Sequence, residues 1–122
     1  MIIAPPVEMT FQERREVYRL RVRLPALFWV EEPFWGEEAH TVDLSIGGVC
    51  LATSKVLERG LPIVAQIRFE HSVMALRGQV AWSGYCGTTP RAGIRFSQLT
   101  ASEEVRLSRY LIDLEVRMRE RI

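Results

Sequence analysis

The hydropathy pattern of this chain changes period once, and that change limits the folds open to it. From Tyr18 to Phe96, apolar and polar residues alternate in short runs broken by glycine and proline; beyond Thr100 the apolar residues recur every three or four positions. A period of two marks strands with one buried face, whereas spacings of three and four mark an amphipathic helix. The chain therefore reads as a set of antiparallel strands followed by one helix.

The first run places Tyr18, Leu20, Val22 and Leu24 on one face and Arg19, Arg21 and Arg23 on the other. Pro25 interrupts or bulges this strand, and Ala26 to Val30 continue it. Residues 31–38, with Pro33 and Gly36, read as a polar connection. A second strand runs from about Ala39 to Leu44, with Val42, Leu44 and Ile46 inward against Thr41, Asp43 and Ser45. Gly47 and Gly48 turn the corner, and Val49 to Thr53 return. Ile63 to Glu70 and Val73 to Trp82 alternate again, then Ala92, Ile94 and Phe96. This pattern assigns Trp82 and Phe96 to the core. Short alternating strands with glycine-bearing turns indicate an antiparallel barrel or sandwich.

Thr100-Ala101-Ser102-Glu103 is a capping box, in which hydroxyl and carboxylate satisfy each other's backbone amides. Leu107, Leu111, Leu114 and Met118 then form the stripe of a helix, with Asp113–Arg117 and Glu115–Arg119 as i,i+4 ion pairs. The stripe is expected to pack on the strands, with a helix-pair dimer seam as its other use; monomer and homodimer both remain open.

At 122 residues the chain fits one domain. We read residues 1–12 as a flexible arm and 13–122 as the folded unit, its helix starting at about 101. A net charge of +1 argues against a protein that coats long nucleic acids. Lys55 is the only lysine and every other cation is arginine, whose planar fork suits phosphates and base edges. Cys50, Cys86, His40 and His71 show no metal-ligand spacing, so neither metal nor cofactor is expected. The first residues lack a signal-peptide pattern, and no apolar run approaches the ~20 residues of a membrane helix. A cytoplasmic protein with no direct membrane insertion is expected.

Two short motifs carry the chemistry. Arg15 and Arg19 form Arg-x-x-x-Arg with Arg14 in front, and Asp43, Ser45 and Gly48 form Asp-x-Ser-x-x-Gly, with Gly47 at the same corner. Arginine forks pair bidentately with guanine O6 and N7, worth about 1–3 kcal/mol of discrimination, and also grip phosphates. A carboxylate such as Asp43 accepts from guanine N1-H and N2-H, which adenine cannot match. Ser45 offers a hydroxyl to a phosphate or base atom, and the glycines permit close backbone approach.

In order, spacing and strand frame, these motifs resemble the PilZ domain, a bacterial receptor for cyclic di-GMP. Gly78-Gln79-Val80-Ala81-Trp82 and Ala92-Gly93-Ile94-Arg95-Phe96 resemble two of its later strands, so the likeness extends from Glu13 to about Ile112. It implies an all-β fold with a C-terminal helix, a six-stranded antiparallel PilZ-type barrel. It also implies a non-enzymatic effector that binds cyclic di-GMP through Arg14, Arg15, Arg19, Asp43, Ser45, Gly47 and Gly48. Such an effector signals to an as yet unidentified protein partner, with outputs in motility, pili, exopolysaccharide or virulence. Arg14 ahead of the motif is the family feature that often goes with an intercalated pair of nucleotides. The alternative is a PilZ-like module that contacts proteins without nucleotide. His40, Asp43 and Ser45 offer hydrolase residue types but no nucleophile elbow, and the strand aromatics alternate inward, unlike a single-strand nucleic-acid binder.

Overall fold

The computed structural model describes residues 19–120; the arm at 1–12 and the arginines Arg14 and Arg15 lie outside them. Seven strands and one helix follow in order: β1 (Leu20–Arg21), β2 (Pro25–Glu31), β3 (Phe34–Leu44), β4 (Gly48–Ala52), β5 (Pro62–Phe69), β6 (Ser72–Cys86), β7 (Thr89–Phe96) and α1 (Ala101–Glu120). Every pairing is antiparallel. Going round, β3, β2, β5, β6, β7 and β4 pair in turn, and β4 pairs with β3 again, so six strands close into a barrel. The two-residue β1 lies beside the end of β3, with Leu20 opposite Leu44 and Arg21 opposite Asp43. Closure leaves the six-stranded sheet without a free edge.

The barrel interior is filled by the inward residues of all these strands. Phe28, Leu44, Val49, Leu51, Ile67, Leu76 and Val80 are essentially inaccessible. The helix closes over this core: Leu107 is fully buried, and Tyr110 stacks on Phe69 with ring centroids 4.3 Å apart. Leu111 and Leu114 pack on the same cluster, so the stripe lies on the barrel. The capping box is present, with Glu103 N donating to Thr100 Oγ1 at 3.1 Å and Thr100 N to Glu103 Oε1 at 2.9 Å. Glu115 pairs with Arg119 at 2.8 Å, but Arg117 turns to Glu70 at the β5–β6 turn rather than to Asp113.

Four expectations need correction. The polar connection at 31–38 is a tight hairpin: β2 ends at Glu31, β3 begins at Phe34, and Glu31 faces Phe34 across a cis Glu32–Pro33 turn. The first strand breaks after Arg21. Beyond the break Val22 N still donates to Val42 O and Thr41 N to Leu24 O, and the buried Thr41 hydroxyl serves the remaining groups: Leu24 N donates to Thr41 Oγ1, and that hydroxyl donates to Val22 O. Thr41 points inward because the β3–β4 register shifts between Thr41 and Asp43. One extra residue reverses the faces on either side of it. The fourth correction concerns Trp82, which is half exposed on the outer surface. The β6–β7 register shifts between Val80 and Trp82, so the residue predicted for the core is turned out.

Candidate functional site

The two register shifts flank one line of residues across the barrel. Asp43 is opposite Cys50, Cys50 opposite Gly93, and Gly93 opposite Trp82. With strands about 4.8 Å apart, this rung runs roughly 14 Å over β3, β4, β7 and β6. A bulge at each end re-aims the terminal side chain, which is a common use of bulges beside binding sites. The middle of the rung is low: Cys50 is buried, and Gly93 has no side chain. The result is a groove of about 720 Å³, bounded by the rung, the Gly47–Gly48 corner, residues 95–99 and Glu104 at the start of α1. That volume lies within the usual range for a small-molecule site, roughly 300–1,000 Å³.

At one end Arg19, just ahead of β1, donates Nε to Asp43 Oδ1 at 2.8 Å. The two side chains are 44% and 25% exposed, so both remain open to a ligand. At the other end the indole of Trp82 lies over Gly93. A Cβ at Gly93 would meet ring atoms Cε2 at 2.5 Å and Cδ1 at 2.7 Å. Glycine is needed there so that the ring can lie against the backbone. Arg95 and Phe96 complete the wall nearest the helix.

The corner between β3 and β4 is built by Ser45. Its side chain is fully buried, and Oγ accepts from Gly47 N at 3.1 Å and Gly48 N at 3.2 Å. Gly47 O in turn accepts from Phe96 N at 2.9 Å, tying the corner to the end of β7. A side chain at Gly48 would run into the carbonyl oxygen of Ile94. Ser45 thus does not share the outer face of Asp43 as the alternation suggested; its hydroxyl fixes the turn that carries Gly47 and Gly48 into the groove wall.

Burial, then the Asp43 carboxylate, pushes the Cys50 thiol upward, so the groove floor carries a neutral sulfur. Of the residues singled out from sequence, Arg19, Asp43, Gly47 and Gly48 line one groove, and Ser45 supports it from behind. Arg14 and Arg15 lie outside the described residues. Trp82 was missed. A large aromatic opposite a glycine on a neighbouring strand was the available signal, but it needs the register to be read. Among the described residues, no three His, Cys, Asp or Glu side chains are grouped to hold a metal ion, and no helix is long and apolar enough to cross a membrane.

Known proteins share this architecture. The PilZ domain of CeSA from a cellulose-synthesizing bacterium superposes with a TM-score of 0.65 at 17% identity, over 80% of this chain and 98% of that one. The PilZ domain of Escherichia coli YcgR, solved with cyclic di-GMP, gives 0.69 at 20% identity over 85% and 93%. The K. pneumonia MrkH–cyclic di-GMP complex gives 0.73 at 13% identity; the match covers 86% of this chain but only 54% of MrkH. At these identities the likeness speaks for the fold. No match was found among curated protein sequences. The PilZ domain family itself matches residues 13–113, most of the sequence, and the chain belongs to that family.

Proposed function

We propose that this protein is a non-catalytic, cytoplasmic receptor for cyclic di-GMP. The observation that carries the reading is the rung from Asp43 to Trp82, which sets a carboxylate–arginine pair and an open aromatic face at the two ends of a small-floored groove. An indole face is a stacking surface for a purine. Asp43 accepts from guanine N1-H and N2-H, and Arg19, held in line by Asp43, presents its remaining guanidinium donors to a base edge or phosphate. Gly47 and Gly48 bring backbone against the ligand, with Ser45 holding their conformation. Arg14 and Arg15 are assigned the exposed side of the ligand, where they close over its second base or phosphodiester. Solved relatives described as complexes with cyclic di-GMP, among them the YcgR domain and MrkH, support the choice of ligand.

Drawing the segment with Arg14 and Arg15 over the groove changes the surface beside it, and that change is the signal offered to a protein partner. The output belongs to motility, pili, exopolysaccharide or virulence. The test is calorimetric titration with cyclic di-GMP, cyclic di-AMP and GTP on the wild type and on Arg15→Ala, Arg19→Ala and Asp43→Ala. Binding selective for cyclic di-GMP is expected, and each substitution should weaken it about tenfold or more, since each leaves a ligand group without its charged partner. No heat with the folded wild type would leave the barrel as a protein-contact module only.

A further inference from the structure

One rung further along the barrel the same layout recurs with a different charge. His40 is opposite Ala52, Ala52 opposite Arg91, and Arg91 opposite Gly84. This line lies about 7 Å from the Asp43–Trp82 rung, two residues along β4, β7 and β6 and three along the bulged β3. Again the small residues sit between and beyond the functional ones, and a Cβ at Gly84 would meet nothing within 4 Å. Arg23, exposed between β1 and β2, reaches over this rung and places Nη1 3.1 Å from His40 Nε2. Arginine can only donate, so His40 Nε2 accepts and the imidazole is neutral.

We propose that Arg23, His40 and Arg91 form a second anion subsite that takes a phosphate group. Three observations converge on it. Two guanidinium groups bracket an imidazole on one open rung of the sheet. Among the described residues, Nε of Arg91 is buried and has no hydrogen-bond partner, and a buried unpaired donor is costly. Burial, then Arg23, then Arg91 depress the basicity of His40, so the cluster accumulates positive potential that an anion would relieve. The charged groups that act on His40 are Arg23 from the β1–β2 segment and Arg91 on β7. Asp43 is already engaged by Arg19. An anion would accept from the Arg23 fork and the Arg91 guanidinium together. His40 Nε2 would then be free to take a proton and donate to the same oxygen atoms. The subsite stands on these three residues and does not depend on the groove binding a dinucleotide.

The phosphate has two possible sources, a free phosphate compound or a phosphodiester of cyclic di-GMP, and one measurement separates them. His40 and His71 are the only histidines, and His71 is exposed at the β5–β6 turn, so it serves as an internal reference. Imidazole NMR titrations of the full chain are run in chloride, in inorganic phosphate at matched ionic strength, and with cyclic di-GMP. His40 should titrate at higher pH in at least one anion arm while His71 stays put. Arg23→Gln, which alters an exposed side chain, and Arg91→Gln should each weaken that anion's binding about tenfold through loss of a charge-assisted bond. A response to phosphate assigns a free phosphate ligand, and a response to the dinucleotide alone assigns its phosphodiester. An unmoved His40 in both arms overturns the subsite, as does a response in the two arginine variants as strong as in the wild type. Arg19→Ala and Asp43→Ala damage the groove but not this rung, so under them the phosphate arm should persist.

Discussion

Trp82 and Gly93 face each other on β6 and β7 with the indole laid over the glycine backbone, so the ring is fixed from below while its outer face stays open. Half of the Trp82 surface is exposed, which makes the residue a poor contributor to the core and a good platform. Trp82→Ala should therefore leave the melting temperature nearly unchanged. Cyclic di-GMP affinity should fall by about tenfold, the loss expected for one base–aromatic stack of roughly 1–3 kcal/mol. Gly93→Ala should give a different pair of results, with both stability and affinity reduced, because its methyl displaces the ring. Calorimetry and thermal melts on the two variants check this, and equal affinity for wild type and Trp82→Ala would remove Trp82 from the site.

The same residue marks the limit of what could be read from the sequence. Antiparallel strands, C-terminal helix and capping box follow from periodicity and local chemistry, because Leu20, Leu44, Ile67, Leu76 and Leu107 repeat with the period of their elements; the choice of a closed barrel over a sandwich comes from the resemblance to the PilZ family. A bulge is different. It inserts one residue, leaves composition untouched, and reverses every face beyond it. The shifts beside Asp43 and Trp82 turned Thr41 inward and Trp82 outward, against the alternation. The opening half of β3 was unreadable for another reason: Phe34, Gly36 and Glu38 face solvent, while Trp35, Glu37 and Ala39 are only half buried. Neither face carries a continuous apolar signal.

The sequence reads Ser45 as a ligand contact, and the structure shows its buried hydroxyl holding the corner; the two roles predict different mutants. Ser45→Ala removes the acceptor for two backbone amides, Gly47 N and Gly48 N. Leaving such groups unpaired in a buried turn costs about 1–3 kcal/mol. The expected outcome is a clear drop in unfolding free energy, accompanied by weaker binding because Gly47 and Gly48 lose their placement. Ser45→Thr would restore the acceptor; recovery of binding with recovered stability supports the positioning role. Full stability with lost binding would argue for a direct contact.

Thr41 ties the broken first strand to the barrel, and through it the approach to Arg19 and Arg23. Its hydroxyl serves Leu24 N and Val22 O where no ladder bond reaches them. Thr41→Val keeps the shape and removes both bonds, so a loss of about 2 kcal/mol or more is expected from two stranded backbone groups. Hydrogen exchange at residues 22–24 should accelerate more than at Phe28 or Ile67. Uniform acceleration across the barrel would mean that Thr41 supports the core generally and not this segment.

Cys50 and Cys86 give a chemical readout of the groove floor. Cys50 is buried and its thiol is pushed above its ordinary range, first by burial and then by the Asp43 carboxylate, whereas Cys86 is exposed on β6. The thiolate is the reactive form, so an alkylating reagent at neutral pH should modify Cys86 quickly and Cys50 slowly. Bound ligand would cover the rung and slow Cys50 further. The sign of the linkage follows from the raised value: the folded state holds the thiol proton more tightly than the unfolded chain. Stability from this group is complete below the ordinary thiol range and declines as pH rises through the folded value. Asp43→Asn removes the second cause, so Cys50 should then react faster at a given alkaline pH while Cys86 is unaffected. Peptide mapping after timed alkylation measures both rates, and equal reactivity of the two cysteines would show that the floor of the groove is not closed.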